Sequence, residues 1–175
     1  MANKITSKTT SKMIWLAPLA ALVIADGANA QIVRNNSTPP GGILESVAIP
    51  ANAETLILSG QLASPIDPSK RPDSVESFGD TKTQTISIFN KIKGILESRG
   101  YKMSDVVKMT VFVAADPKRS DGRMDFAGMN EGYRMFFGTA DNPNVVARST
   151  VQVAALAGPY FLVEIEVMAA KIPNR

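Results

Sequence analysis

The chain has no histidine and no cysteine among its 175 residues. Without histidine there is no Ser-His-Asp triad, and without cysteine there is no thiol nucleophile. Together the two absences exclude the ordinary zinc and haem ligand sets. Disulfides are excluded as well, and an exported domain of this size does not need them. Any catalysis must rest on carboxylates, Arg, Lys, Tyr, hydroxyls, backbone groups or a hard metal ion. A strong charge imbalance is also lacking, since 19 basic residues stand against 16 acidic ones.

Nor does the start of the chain carry a membrane span. Met13–Ala25 is apolar, but thirteen residues at about 1.5 Å each fall short of a bilayer core of about 30 Å, and Pro18 interrupts the run. Lys4, Lys8 and Lys12 precede it, and Ala28-Asn29-Ala30 follows it. A basic start, a short apolar core and an A-x-A ending predict a cleavable export signal over residues 1–30, and hence a periplasmic location. Its removal takes away three lysines and Asp26, leaving 16 basic against 15 acidic residues, a net of +1. Such a balance gives no support to a nucleic-acid partner.

What is present reads as one domain. Residues 31–43 are polar, with Pro and Gly, and predict a flexible lead. Strands are expected over Leu44–Ile49 and Thr55–Gly60, and a long surface loop over 64–79. A helix starts after Asp80, a good N-cap residue, and stops at Gly100. Its Ile88, Phe89, Ile92, Ile95 and Leu96 form one apolar stripe. Val106–Ala114 is rich in β-branched residues and reads as a strand, with Val107, Met109, Val111 and Val113 on one face. After a polar loop, a second helix is expected over Met124–Phe137, with Phe126, Met129, Tyr133 and Phe137 on its apolar side. Strands over Val145–Val153 and Phe161–Ala170 close the chain. The order ββαβαββ predicts an α+β two-layer domain, a sheet with both helices on one face.

Three places carry polar groups where a plain core would not. In the strand through Arg148, the residues Arg148, Thr150 and Gln152 share one face. That face is either solvent-exposed, or paired with a sheet carboxylate, or shaped to grip a substrate carboxylate through two parallel hydrogen bonds. Glu164 and Glu166 share one face of an otherwise apolar last strand, to meet water or to hold a proton or water for a reacting group. Asn130 falls in the apolar arc of the second helix, where a buried amide must find a backbone or ligand partner. Ser59-Gly60 ends the second strand as a turn or as a place where a ligand meets the backbone.

Taken together, five stretches resemble the RidA (YjgF-type) family of imine and enamine deaminases: Leu56–Gln61 (LILSGQ), Asp105–Val113 (DVVKMTVFV), Phe126–Phe137 (FAGMNEGYRMFF), Ala147–Ala154 (ARSTVQVA) and Val163–Ala169 (VEIEVMA). The resemblance covers residues 44–172. It implies a chorismate-mutase-like fold and a homotrimer with active sites between subunits. In it Arg148 binds the substrate carboxylate and Glu164 positions water. Asn130, Ser59 and Gly60 line the pocket, and Thr150 stands where well-studied members often carry Cys. Arg148 and Glu164 are thus expected on neighbouring terminal strands. The segment 43–54 (ILESVAIPANAE) holds no counterpart of a Tyr common in members, and the loops 64–79 and 115–123 look longer than in compact ones. The implied reaction is hydrolytic deamination of small 2-imino or enamine carboxylic acids to 2-keto acids and ammonia, needing neither metal nor organic cofactor. A non-catalytic periplasmic module that binds small carboxylates on the same fold is the alternative.

Overall fold

Strong β-formers and one long amphipathic helix dictate most of the architecture. In a computed structural model of the protein, the described residues are 31–38 and 41–173. Residues 1–30, expected from the sequence to form an export signal, lie outside them. Six strands, β1 (Val33–Asn36), β2 (Leu44–Ala48), β3 (Glu54–Leu62), β4 (Val106–Ala114), β5 (Ala147–Val153) and β6 (Val163–Lys171), form one mixed sheet in the order β1-β2-β5-β4-β6-β3. β5 runs parallel to both β2 and β4, and the other pairings are antiparallel. Helices α1 (Thr81–Ser98) and α2 (Phe126–Tyr133) cover one face, as expected for the two-layer class.

Asp80 caps α1 by accepting from the Thr83 amide at 2.8 Å, and Gly100 takes φ +75° just past its end. Ile88, Phe89, Ile92 and Leu96 are fully buried against Met109, Val111 and Val113 of β4 and Val163, Ile165 and Val167 of β6. A bulge between Val106 and Lys108 puts Val106 in this core in place of Val107, which was expected to share the face of Met109 and is buried outside this cluster. The opposite face of the sheet is left without helices and carries the even-numbered residues of β4 from Lys108 to Phe112 and of β6 from Glu164 to Met168.

Two segments differ from expectation. The lead over 31–43 contributes strand β1, which pairs with β2 through Val33↔Ala48 to Asn36↔Leu44. Arg34 holds it down, donating to the carbonyls of Ser104 and Val106 at 2.8 and 3.0 Å. Polar composition hid this, because the anchoring is backbone pairing plus one arginine. Helix α2 is also shorter than Met124–Phe137. The Asp125 carboxylate caps it by accepting from the Gly128 amide at 3.1 Å, so Met124 stays outside. Beyond Tyr133 the amides of Met135 and Phe136 reach only three residues back, a tightened turn that ends before Gly138 at φ +70°. Phe126, expected on the buried stripe, is 46% exposed because it stands in the first turn, beyond the cover of α1. Met129, Tyr133 and Phe137 are buried as expected.

The two helices approach closely at Gly132. A Cβ there would lie 2.8 Å from Thr85 Cβ and 3.2 Å from the Lys82 carbonyl oxygen. Gly132→Ala is therefore expected to lower stability by about 1–3 kcal/mol through overpacking. Gly94→Ala, with nothing within 4 Å of the added carbon, should instead stabilise by about 0.5–1 kcal/mol through helix propensity. Thermal melts of the two variants read the contrast.

Candidate functional site

Arg148, Thr150 and Gln152 project from β5 on the helix-covered face, since their β4 partners are Met109, Val111 and Val113. Above Arg148 lies α2, whose Met129, Asn130 and Tyr133 it touches. The Arg148 guanidinium is half-buried over the Tyr133 ring, 4.5 Å from its centroid. One nitrogen donates to Asn130 Oδ1 at 2.7 Å, and another approaches Met129 Sδ at 3.8 Å. Asn130 is oriented in turn, its amide donating to the Phe126 carbonyl at 3.0 Å. Tyr133 is fixed by stacking on Phe137 at 5.0 Å, and its hydroxyl accepts from the Val146 amide at 3.4 Å. Tyr133, which from the sequence is simply core, is therefore also the platform beneath Arg148. Its spacing of three residues from Asn130 on one helix face was the available signal.

Burial lowers the Arg148 pKa from its ordinary value, partly offset by Tyr133 and reinforced by nearby Arg134. A guanidinium nevertheless keeps its charge at neutral pH. Burial also raises the Tyr133 phenol, against the pull of Arg148 and the Val146 amide. Among the described residues no carboxylate pairs with Arg148. Two residues along, the Thr150 hydroxyl is buried without a hydrogen-bond partner. A partly desolvated cation without a carboxylate partner is unfavourable until an anion reaches it.

The second group of expected site residues lies elsewhere. Glu164 pairs in register with Phe112, on the helix-free face. Beside it β3 carries an irregularity between Leu58 and Gln61, where three residues of β3 span two of β6. This bulge turns Gly60 toward Glu164 so closely that a Cβ at Gly60 would collide with the Glu164 carboxylate. Ser59 is exposed next to it, along a groove of about 380 Å³ that also includes Ile57, Thr110, Glu166 and Met168. The two groups do not meet within one chain. β4 separates β5 from β6, so Arg148 and Glu164 are not on neighbouring strands as expected. Two strand spacings and a three-residue offset put their Cα atoms about 14 Å apart, on opposite faces. Strand order is a matter of crossover topology, which alternation along β5 and β6 does not encode. Among the described residues no cluster of three or more acidic side chains is arranged to hold a metal ion.

Residues 45–171 match the family model described as Endoribonuclease L-PSP. The chain belongs to that family. Within the L-PSP family, a RutC family protein from Pyrococcus horikoshii is 40% identical over 116 residues, 66% of this chain and 79% of its own. The 2-iminobutanoate/2-iminopropanoate deaminase of Escherichia coli is 35% identical over the same shares. Among solved structures, the YjgF gene product of Escherichia coli has TM-score 0.51 and 31% identity, covering 79% of this chain and 93% of its own. The family resemblance expected from LILSGQ, ARSTVQVA and VEIEVMA is thereby confirmed, and so is the mixed-sheet α+β fold. Named imine deaminases are among the chain's L-PSP relatives.

Proposed function

We propose that this protein hydrolyses small 2-imino and enamine carboxylic acids to 2-keto acids and ammonia. The sites are built between copies of a homotrimer, and the enzyme works in the periplasm after loss of residues 1–30. The observation that carries this is Arg148: a half-buried cation, oriented by Asn130 and Tyr133, with no carboxylate of its own among the described residues. A substrate carboxylate supplies the missing partner through two parallel hydrogen bonds. Thr150 stands two residues further along the same face of β5.

An imine conjugated to a carboxylate is already electrophilic, so orientation accounts for much of a modest acceleration. Glu164 accepts a hydrogen bond from a water and aims it at the imine carbon. The C–O bond forms as the C=N electron pair passes to nitrogen. The proton that the water gives up passes through Glu164 to that nitrogen, and the added hydroxyl then gives its proton to the departing amine as the C–N bond breaks, so that ammonia and the keto acid leave and the Glu164 carboxylate is regenerated. An enamine first takes a proton at carbon to become the imine. None of these steps calls on histidine, cysteine or a cofactor.

Two features support assembly between copies. Arg148 and Glu164 lie too far apart to act on one small acid within a chain. The helix-free sheet face exposes Ile57 at 75% and Val151 at 43%, two apolar side chains that a second copy would cover.

The test is purified protein without residues 1–30, supplied with imines generated in place by an amino-acid oxidase. Keto acid is expected to appear well above the buffer rate, from 2-iminopropanoate and 2-iminobutanoate. Calorimetric binding of keto acids without any turnover would select the carboxylate-binding module instead.

A further inference from the structure

An open groove of about 680 Å³ runs between the end of α1, the turn at 100–104 and the segment 135–142. No residue of the Arg148 cluster lines it. Its walls are fixed by local hydrogen bonds. The Tyr101 amide donates to the Leu96 carbonyl at 2.9 Å, and the Phe136 amide donates to the Tyr133 carbonyl at 3.0 Å. The Asn142 side chain donates to the Phe136 carbonyl at 2.8 Å and ties the second wall to itself. Tyr101, Met103, Met135 and Phe136 give the groove its apolar surface. Met135 is 58% exposed beside the others, so this is a contiguous patch and not a lone side chain. Tyr101 carries a second, independent sign. Only 8% of it is exposed, and its ring lies under the Lys171 ammonium, 4.3 Å from the centroid. That ammonium is held in turn by the Gly100 carbonyl at 2.9 Å. A tyrosine buried to this depth ordinarily finds a partner for its hydroxyl. Here the hydroxyl has none among the described residues, and it is not sealed off from solvent. It is reached from the groove that Tyr101 lines.

We propose that this groove binds a zwitterionic aromatic amino acid, at a site separate from Arg148. The aromatic ring lies against the thioethers of Met103 and Met135 and against Phe136, contacts that polarizable sulfur favours. The Tyr101 hydroxyl donates to the ligand carboxylate and so gains the partner it lacks within the chain. The rim explains the choice of a zwitterion. Lys93 and Lys102 stand there with Glu97 and Asp141, all four exposed and none in an ion pair among the described residues. A ligand of one sign is repelled by two of the four, whereas a zwitterion can turn its carboxylate to the lysines and its ammonium to the acids. Each of these exposed contacts contributes little by itself, so the ring in the groove carries most of the affinity. The inference goes beyond the deaminase reading and does not depend on it.

The experiment titrates purified protein without residues 1–30, labelled with carbon-13 at the methionine methyls. The ligands are L-tryptophan, indole-3-propionate, which lacks the ammonium, and glycine, which lacks the ring. Calorimetry on the same samples gives Kd. Tryptophan is expected to shift the Met103 and Met135 methyl signals to saturation, with a Kd of about 1 mM or below. The other two ligands should bind at least about 5-fold more weakly. Tyr101→Phe keeps the ring and its contact with Lys171, and should weaken tryptophan about 3- to 10-fold. Met135→Ala should weaken it about 5-fold. Arg148→Ala should bind it as wild type does. Absence of saturable shifts up to about 10 mM tryptophan overturns the proposal, as does unchanged affinity in Tyr101→Phe. Binding lost in Arg148→Ala puts the ligand on Arg148 and removes this site. Indole-3-propionate binding as tightly as tryptophan removes the amino-acid assignment.

Discussion

Replacing Arg148 with alanine is expected to reduce kcat/KM for imine hydrolysis by roughly 30- to 1000-fold, while the protein remains folded. Removing one partner of a partly buried, hydrogen-bonded charge pair typically costs about 2–4 kcal/mol. Here the pair forms only when substrate arrives, so the loss falls on binding and orientation. Stability should change little, because the guanidinium has no counter-ion among the described residues and its desolvation offsets its contacts to Tyr133 and Asn130. Arg148→Lys keeps the charge but not the planar fork, and should recover only part of the loss. Rates from the coupled oxidase assay and thermal melts of the same samples test both halves. A rate loss accompanied by a collapsed melting temperature, or no rate loss at all, would remove Arg148 from the site.

The components of this site were legible in the sequence to different depths, for physical reasons. Alternation with period two put Arg148, Thr150 and Gln152 on one face of β5, and Glu164 and Glu166 on one face of β6, and both groupings hold. The helix stripe from Ile88 to Leu96 and the caps at Asp80 and Gly100 were equally plain, since they depend on near neighbours. Which faces look the same way is a different kind of fact. It depends on β4 entering between β5 and β6, and on parallel pairing of β4 with β5, neither of which leaves a local trace. The Gly60 bulge was likewise hidden. Ser-Gly is consistent with an ordinary turn, and only the register against β6 shows an extra residue bringing Gly60 against Glu164. Gln152 accepts from the Met124 amide and donates to the Gly122 carbonyl, 28 and 30 positions away, beyond any periodic pattern.

Mixing two inactive variants is expected to restore activity. Arg148 and Glu164 are separated by β4 and by the thickness of the sheet. If both act on one imine, they must come from different copies, Arg148 with Asn130 and Thr150 from one, Glu164 with Ser59 and Gly60 from the next. Glu164→Gln alone should lower the rate about 100-fold or more, since the amide cannot take up the proton of the attacking water. When Arg148→Ala and Glu164→Gln chains are refolded or co-expressed in equal amounts, each site in a cyclic trimer draws its two halves independently. About a quarter of the sites then receive an intact Arg148 and an intact Glu164. Recovery to about 25% of the wild-type rate is the expected result, with light scattering giving the mass of three chains. If instead the mixture is no more active than its parents, although mixed trimers are shown by differential tags, the two residues do not complete one site across an interface. The separation seen within a single chain would then require Glu164 to serve another role.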